Sequence, residues 1–131
     1  MTQEDKDLLL KDLCARLPYG VKISIDDDIQ TVIGQILYNN GYVVTDKGCY
    51  SLNGVTIKPY LFPISSMTEK QKEEFNSYFA SVPYYGDKEH EHVVPYYFVE
   101  LLMEFFHKNH NDNNGLIPMG LAIDATGLNI Y

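Results

Sequence analysis

The sequence predicts an α+β fold: an N-terminal helix, a small and strongly bent antiparallel sheet, two further helices and an apolar C-terminal tail. Three observations support this class. Leucines recur at helical spacing near the N-terminus, short alternating segments separated by turn residues fill positions 21–58, and two stretches of helical periodicity follow. The close spacing of the strands suggests an SH3-like barrel as one form of this sheet.

Length and composition favour a single domain over residues 1–131, because 45% apolar residues can build a core. The net charge of −8 disfavours nucleic-acid binding, which depends on neutralising phosphates, and suits a basic or neutral protein partner. Two cysteines are too few for a disulfide framework, and no secretory signal is recognisable, so we expect a cytoplasmic protein. We expect no membrane association, because Glu100 and Glu104 interrupt the most apolar window.

The first helix is predicted over residues 1–17. Thr2 and Asp5 have the spacing of a capping box, and Pro18 should end the helix near Arg16. Its expected buried stripe consists of Leu9, Leu10, Leu13, Cys14 and Leu17.

The β meander is predicted over residues 21–58. Val21, Ile23 and Ile25 alternate with polar residues, and the three aspartates at 26–28 form a turn. The alternation changes phase around Gly34, which indicates a bulge in a strand over residues 30–38. A hairpin at 39–41 and strands near 42–45, 49–52 and 55–58 complete the meander.

Residues 58–68, KPYLFPISSMT, are rich in proline and aromatic residues. We expect them to leave the sheet, carry Tyr60 and Leu61 to the core, and start a helix over 66–82. Either Ser66 with Glu69 or Thr68 with Gln71 can form its capping box.

The last helix is predicted over residues 95–108 and is apolar except for one narrow polar stripe, which includes His107. Such a helix is either a core element, which we favour, or is shared with a second copy in a homo-oligomer. The tail over 115–131 should pack on the core, with a loosely attached end over residues 125–131.

Four tyrosines are candidate partner-binding residues, because tyrosine combines an apolar ring with a polar hydroxyl and is common in interfaces. They are Tyr84, Tyr85, Tyr96 and Tyr97. The alternative is that these rings are half-buried at the margin of the core.

The sequence contains no recognisable catalytic or zinc-binding motif, so we predict no catalytic residue, metal ligand or cofactor. His107 lies on the predicted solvent stripe, and His110 lies in a polar loop. A small enzyme or metal-binding protein that uses His110, Asp112 and the neighbouring histidines remains the alternative.

Three stretches carry a resemblance to a known group of proteins: LLLKDLCARLPYGV at 8–21, KPYLFPISSMT at 58–68, and HNDNNGLI at 110–117 with GLA at 120–122. Together they resemble a family of uncharacterised short proteins from gut bacteria and their prophages. Phe62 departs from that pattern, in which an arginine is common. The resemblance implies no activity, and it implies an accessory protein of phage or mobile-element origin.

We therefore expect a non-enzymatic protein-interaction or accessory protein. The acidic charge, the 11 tyrosines and the apolar last helix motivate this expectation. A small enzyme or metal-binding protein and a nucleic-acid-binding small barrel are the alternatives.

Overall fold

A computed structural model describes residues 1–36, 42–80 and 96–131, with the backbone alone for 35–36, 79–80 and 96–98. These ranges contain three α-helices and six β-strands, so the fold belongs to the α+β class. None of the helices in these ranges is long and apolar enough to span a membrane.

Helix α1, Gln3–Ala15, begins with the predicted capping box between Thr2 and Asp5. Its buried face differs from the prediction: Asp12 and Arg16 are buried beside the leucines, whereas Cys14 is exposed. At 100° per residue, the centre of the buried sector is rotated by roughly 80° around the helix axis from the centre of the predicted apolar stripe. This rotation buries two charged side chains, and it is tolerated because Asp12 and Arg16 form an ion pair inside the protein.

The six strands form one mixed sheet in the order β4-β3-β2-β1-β5-β6. Their bounds are β1 Lys22–Ile25, β2 Asp28–Ile36, β3 Tyr42–Thr45, β4 Cys49–Ser51, β5 Ile57–Leu61 and β6 Ile123–Asp124. The neighbours from β4 to β5 are antiparallel, and β6 is parallel to β5.

The start of the segment 58–68 differs from the prediction. Residues 58–61 stay in the sheet as part of β5, where Pro59 pairs with Ile23, although the prolines predicted that they leave it. Pro59 is tolerated because β6 pairs only with Tyr60 and Leu61, so Pro59 has a neighbouring strand on one side only.

The predicted turn and the predicted bulge are both confirmed. Asp26 and Asp27 form the two-residue loop between β1 and β2, with φ values of 47° and 74° that match a type I′ hairpin. The register of β2 against β3 shifts between Val32 and Gly34. The bulge bends β2 next to the predicted hairpin at 39–41, which lies outside the described residues.

The predicted barrel is not confirmed. β5 pairs with β1 instead of β4, and within the described part of the chain β4 and β6 end the strand order at opposite edges. The sheet is therefore open.

Helix α1 covers one face of this sheet, which we call the inner face. Leu9 and Leu13 belong to the same buried cluster as Ile23, Val32 and Val43. The other buried members of the cluster are Val21, Ile25, Leu52, Ile57, Leu61, Leu116, Leu121 and Ala122. Alternation along the strands directs their other side chains to the opposite, outer face.

Helices α2, Glu69–Ala80, and α3, Tyr96–Lys108, pack on each other through aromatic rings. Thr68 and Gln71 form one of the two capping boxes that the sequence allowed. Phe75 lies 5.7 Å from Phe105 and 5.9 Å from Phe106, measured between ring centroids. This aromatic contact joins the C-terminal turn of α3 to α2.

The buried side of α3 differs from the prediction. His107 is buried although it was assigned to the solvent stripe, whereas Leu101 and Met103 are exposed. The core therefore receives the C-terminal turn of α3, and the described side chains before it are mostly exposed. His107 lies near the charges of Arg16 and Asp12 on α1, which the helical pattern alone does not reveal.

The tail packs on the core, as predicted, through Leu116, Leu121 and Ala122. Its end is more firmly attached than predicted. Ala125 is buried, and the Tyr131 hydroxyl donates to the Tyr60 carbonyl at 2.7 Å and accepts from the Lys22 amide at 2.9 Å.

Leu61→Ala tests the assignment of Leu61 to the core. Leu61 is 0% exposed, and a buried leucine-to-alanine change costs about 2–5 kcal/mol. We expect the melting temperature to fall by roughly 10 °C, and Leu128→Ala, at an exposed position, should change it little. Equal melting of both variants would contradict the core assignment.

Candidate functional site

A buried ion pair occupies the C-terminal half of α1. The Arg16 Nε atom donates to Asp12 Oδ2 at 2.8 Å, and Arg16 Nη2 donates to Asp12 Oδ1 at 3.1 Å. The two residues are separated by one helical turn, and both side chains are 0% exposed. This bidentate geometry compensates part of the cost of removing two charges from water.

The loop that follows α3 adds further hydrogen bonds to this pair. Arg16 Nη2 donates to the Asn111 carbonyl at 2.7 Å and to Asn113 Oδ1 at 2.8 Å. Asn114 Nδ2 donates to Asp12 Oδ1 at 2.8 Å. The ion pair therefore ties α1 to a loop about 100 residues further along the chain.

Asp112, a candidate of the enzyme alternative, uses its carboxylate to hold the backbone of the same loop. Its oxygens accept from the Leu116 amide at 2.7 Å and from the Ile117 amide at 2.9 Å. The Phe62 amide donates to the His110 carbonyl, and the Asp112 amide donates to the Phe62 carbonyl, both at 2.8 Å. The three stretches that carry the family resemblance thus meet at Arg16, Phe62 and residues 110–117.

The two histidines of this region favour the neutral form. Burial, and secondarily the Arg16 and Lys22 charges, lower the pKa of His110 from 6.5 to about 4. Burial also lowers the pKa of His107, helped by Arg16 and opposed by Asp12. The His110 ring is stacked on the Tyr131 ring at 3.6 Å, so His110 is not the solvated loop residue that the sequence suggested.

This polar region has the chemistry of a structural anchor. Its carboxylates are engaged by Arg16, Asn114 and backbone amides. In the described ranges, no group of three His, Cys, Asp or Glu side chains could hold a metal ion. Three buried atoms have no hydrogen-bond partner among the described residues: Arg16 Nη1, His110 Nδ1 and Asn111 Oδ1.

The outer face of the sheet is the second candidate, and it carries exposed apolar side chains. Ile33 is 62% exposed, Ile29 is 43% exposed, and Tyr42 on β3 is also exposed. Gly34 pairs with Val44 beside them and adds no side chain. Apolar side chains exposed on one face of a sheet are typical of interaction surfaces.

A cleft of about 380 Å³ adjoins this apolar area on the same face. It is lined by Ser24, Asp26, Asp27, Thr56, Lys58 and Ile123. Ser24 pairs with Ile29 on one side and with Lys58 on the other, so one row of side chains connects the cleft to the apolar area. We call the apolar area and the cleft together the docking face.

The tyrosines predicted to bind a partner are not located by the structure. Tyr84 and Tyr85 lie outside the described residues, and only the backbone of Tyr96 and Tyr97 is described, in the first turn of α3. His90 and His92 also lie outside the described ranges. Sequence reasoning missed Ile29 and Ile33, although the change of phase around Gly34 was the signal that could have identified Ile33.

Comparison with known proteins adds no relative: no family model, curated protein or solved structure matches this chain. The family resemblance drawn from the three stretches therefore stays a prediction.

Arg16→Met tests the anchoring role of the ion pair. The substitution leaves the Asp12 carboxylate buried without its cation, which costs about 3–5 kcal/mol of unfolding free energy in typical cases. The double variant Asp12→Asn/Arg16→Met removes both charges, and we expect it to recover part of that loss. Urea denaturation measures both effects, with Lys11→Met, exposed on the same helix, as the control. A loss no larger than that of Lys11→Met would show that the pair does not anchor the fold.

Acid should destabilise the protein through His110. The pKa of His110 is lower in the folded state than in the unfolded state, so the unfolded state binds the proton more tightly. The stabilisation that the neutral imidazole provides is present above about pH 6.5 and is lost as pH falls towards about 4. His110→Asn removes the titration and tolerates the φ of 56° at this position.

Thermal melts at pH 7 and pH 5 measure this effect. Between these pH values the melting temperature of the wild type should fall by about 3–5 °C more than that of His110→Asn. Parallel pH profiles for the two proteins would contradict the burial of a neutral imidazole.

Proposed function

We propose that the protein is a non-enzymatic interaction protein that binds a protein partner on its docking face. The observation that carries this proposal is the exposure of Ile29 and Ile33 on a sheet whose other face is covered by α1. Covering these side chains with a partner would remove apolar surface from water, which is the main driving force of protein association.

The chemistry of the remaining polar groups supports binding over catalysis. His110 and Asp112, the residues of the enzyme alternative, face a stacked tyrosine ring and two backbone amides respectively. A catalytic base needs access to the proton that it abstracts. The nucleic-acid alternative is opposed by the net charge of −8 and by the aspartates at the turn end of the docking face.

A cytoplasmic accessory role, with phage or mobile-element origin, is the biological setting that we propose for this interaction. It is supported by the family resemblance of the three stretches around Arg16, Phe62 and residues 110–117. Their contact in the folded protein fits a shared structural core more than a shared activity.

Selection from a display library of short random peptides tests the proposal. We expect peptides that bind the wild-type protein and lose at least roughly tenfold in affinity against Ile33→Lys, because a charge replaces apolar contact. Leu128→Lys, exposed elsewhere, is the matched control and should leave binding unchanged. Thermal melts confirm that both variants are folded.

Two results would overturn this function. One is a library that yields no peptide with measurable affinity for the wild type. The other is a set of binders that is indifferent to Ile33→Lys, which would place binding elsewhere on the protein.

A further inference from the structure

We infer that the partner presents an extended basic segment, which places apolar side chains over Ile29 and Ile33 and a lysine or arginine in the cleft. This inference rests on the proposed function and adds the chemistry of the partner. The row from Lys58 through Ser24 to Ile29 makes the cleft and the apolar area one continuous surface.

The charges at the turn end of the docking face favour a cation. Asp26 and Asp27 line the cleft there, against one lysine, Lys58. Asp28 is paired with Lys47 at 3.2 Å and, as the neighbour of Ile29 along β2, belongs to the inner face. The excess of negative charge at this end would attract a basic partner and would repel the identical end of a second copy.

Asp27 is the carboxylate best placed to receive the partner's cation. Asp26 Oδ1 accepts from the Thr56 amide, and Asp46 Oδ1 accepts from the Thr31 amide. The Asp27 carboxylate lines the cleft at an exposed position and makes no hydrogen bond or ion pair with the described residues. Its backbone is held by the type I′ turn and by the bond from its amide to Ser24 Oγ at 3.2 Å.

The spacing along β2 indicates an extended segment. Ile29 and Ile33 are four residues apart, which is about 13 Å along a strand. Alternate side chains of an extended peptide point to the same side, so a short stretch can reach both isoleucines and also the cleft beside Ser24. A partner helix would need about nine residues to cover the same length.

The peptides selected against the wild-type protein test this inference. We expect them to combine apolar residues with at least one lysine or arginine and to bind Asp27→Asn about tenfold more weakly than the wild type. Asparagine keeps the size of the side chain and tolerates the positive φ at position 27. Glu73→Gln, an exposed carboxylate on α2, is the control and should bind as the wild type does.

The outcomes separate the two proposals. If the selected peptides are neutral or acidic, and their affinity falls for Ile33→Lys but not for Asp27→Asn, the basic segment is overturned and the interaction function stands. If their affinity does not fall for Ile33→Lys, both proposals are overturned. Affinity that falls as salt is raised, with a smaller salt dependence for Asp27→Asn, would support the cation in the cleft.

Discussion

The buried ion pair between Asp12 and Arg16 is the interaction on which the arrangement of this protein depends. A guanidinium without access to water needs its hydrogen bonds supplied by the protein, and part of them comes from the loop at 111–114. The bonds from Arg16 Nη2 to this loop bring the end of α3 and the start of the tail to the first helix. The tail then adds Leu116 and Leu121 to the core.

This anchoring makes the two faces of the sheet unequal. Helix α1 and the tail bury the inner face, and the bonds of Tyr131 secure the end of the tail at β1 and β5. No described helix contributes to the buried cluster from the outer side of β2, where Ile29 and Ile33 are exposed. An antiparallel sheet can have one solvent-exposed face. Isoleucines on that face bury little apolar area on folding, and they would bury more in the complex that we propose.

The same constraint explains why residues that resemble an active site carry structural roles. Asp112 holds two backbone amides, and His110 is kept neutral by burial and by the neighbouring Arg16 charge. Both residues lie in the loop that must meet Arg16. Their polarity stabilises the loop, and the recognition surface that we propose is the docking face.

The elements whose causes are local can be predicted from the sequence alone. Thr2 with Asp5 caps α1, Thr68 with Gln71 caps α2, and the aspartates at 26–28 make the first hairpin, because caps and turns depend on neighbouring residues.

Contacts between distant parts of the chain set the burial of Arg16 and His107, the exposure of Cys14, and the open order of the strands. A charged residue in a helical pattern is predicted to face solvent. The pattern does not show that an asparagine-rich loop about 100 residues away accepts hydrogen bonds from the Arg16 guanidinium. The pairing of β5 with β1 is likewise a contact between residues distant in sequence, which strand patterns do not encode.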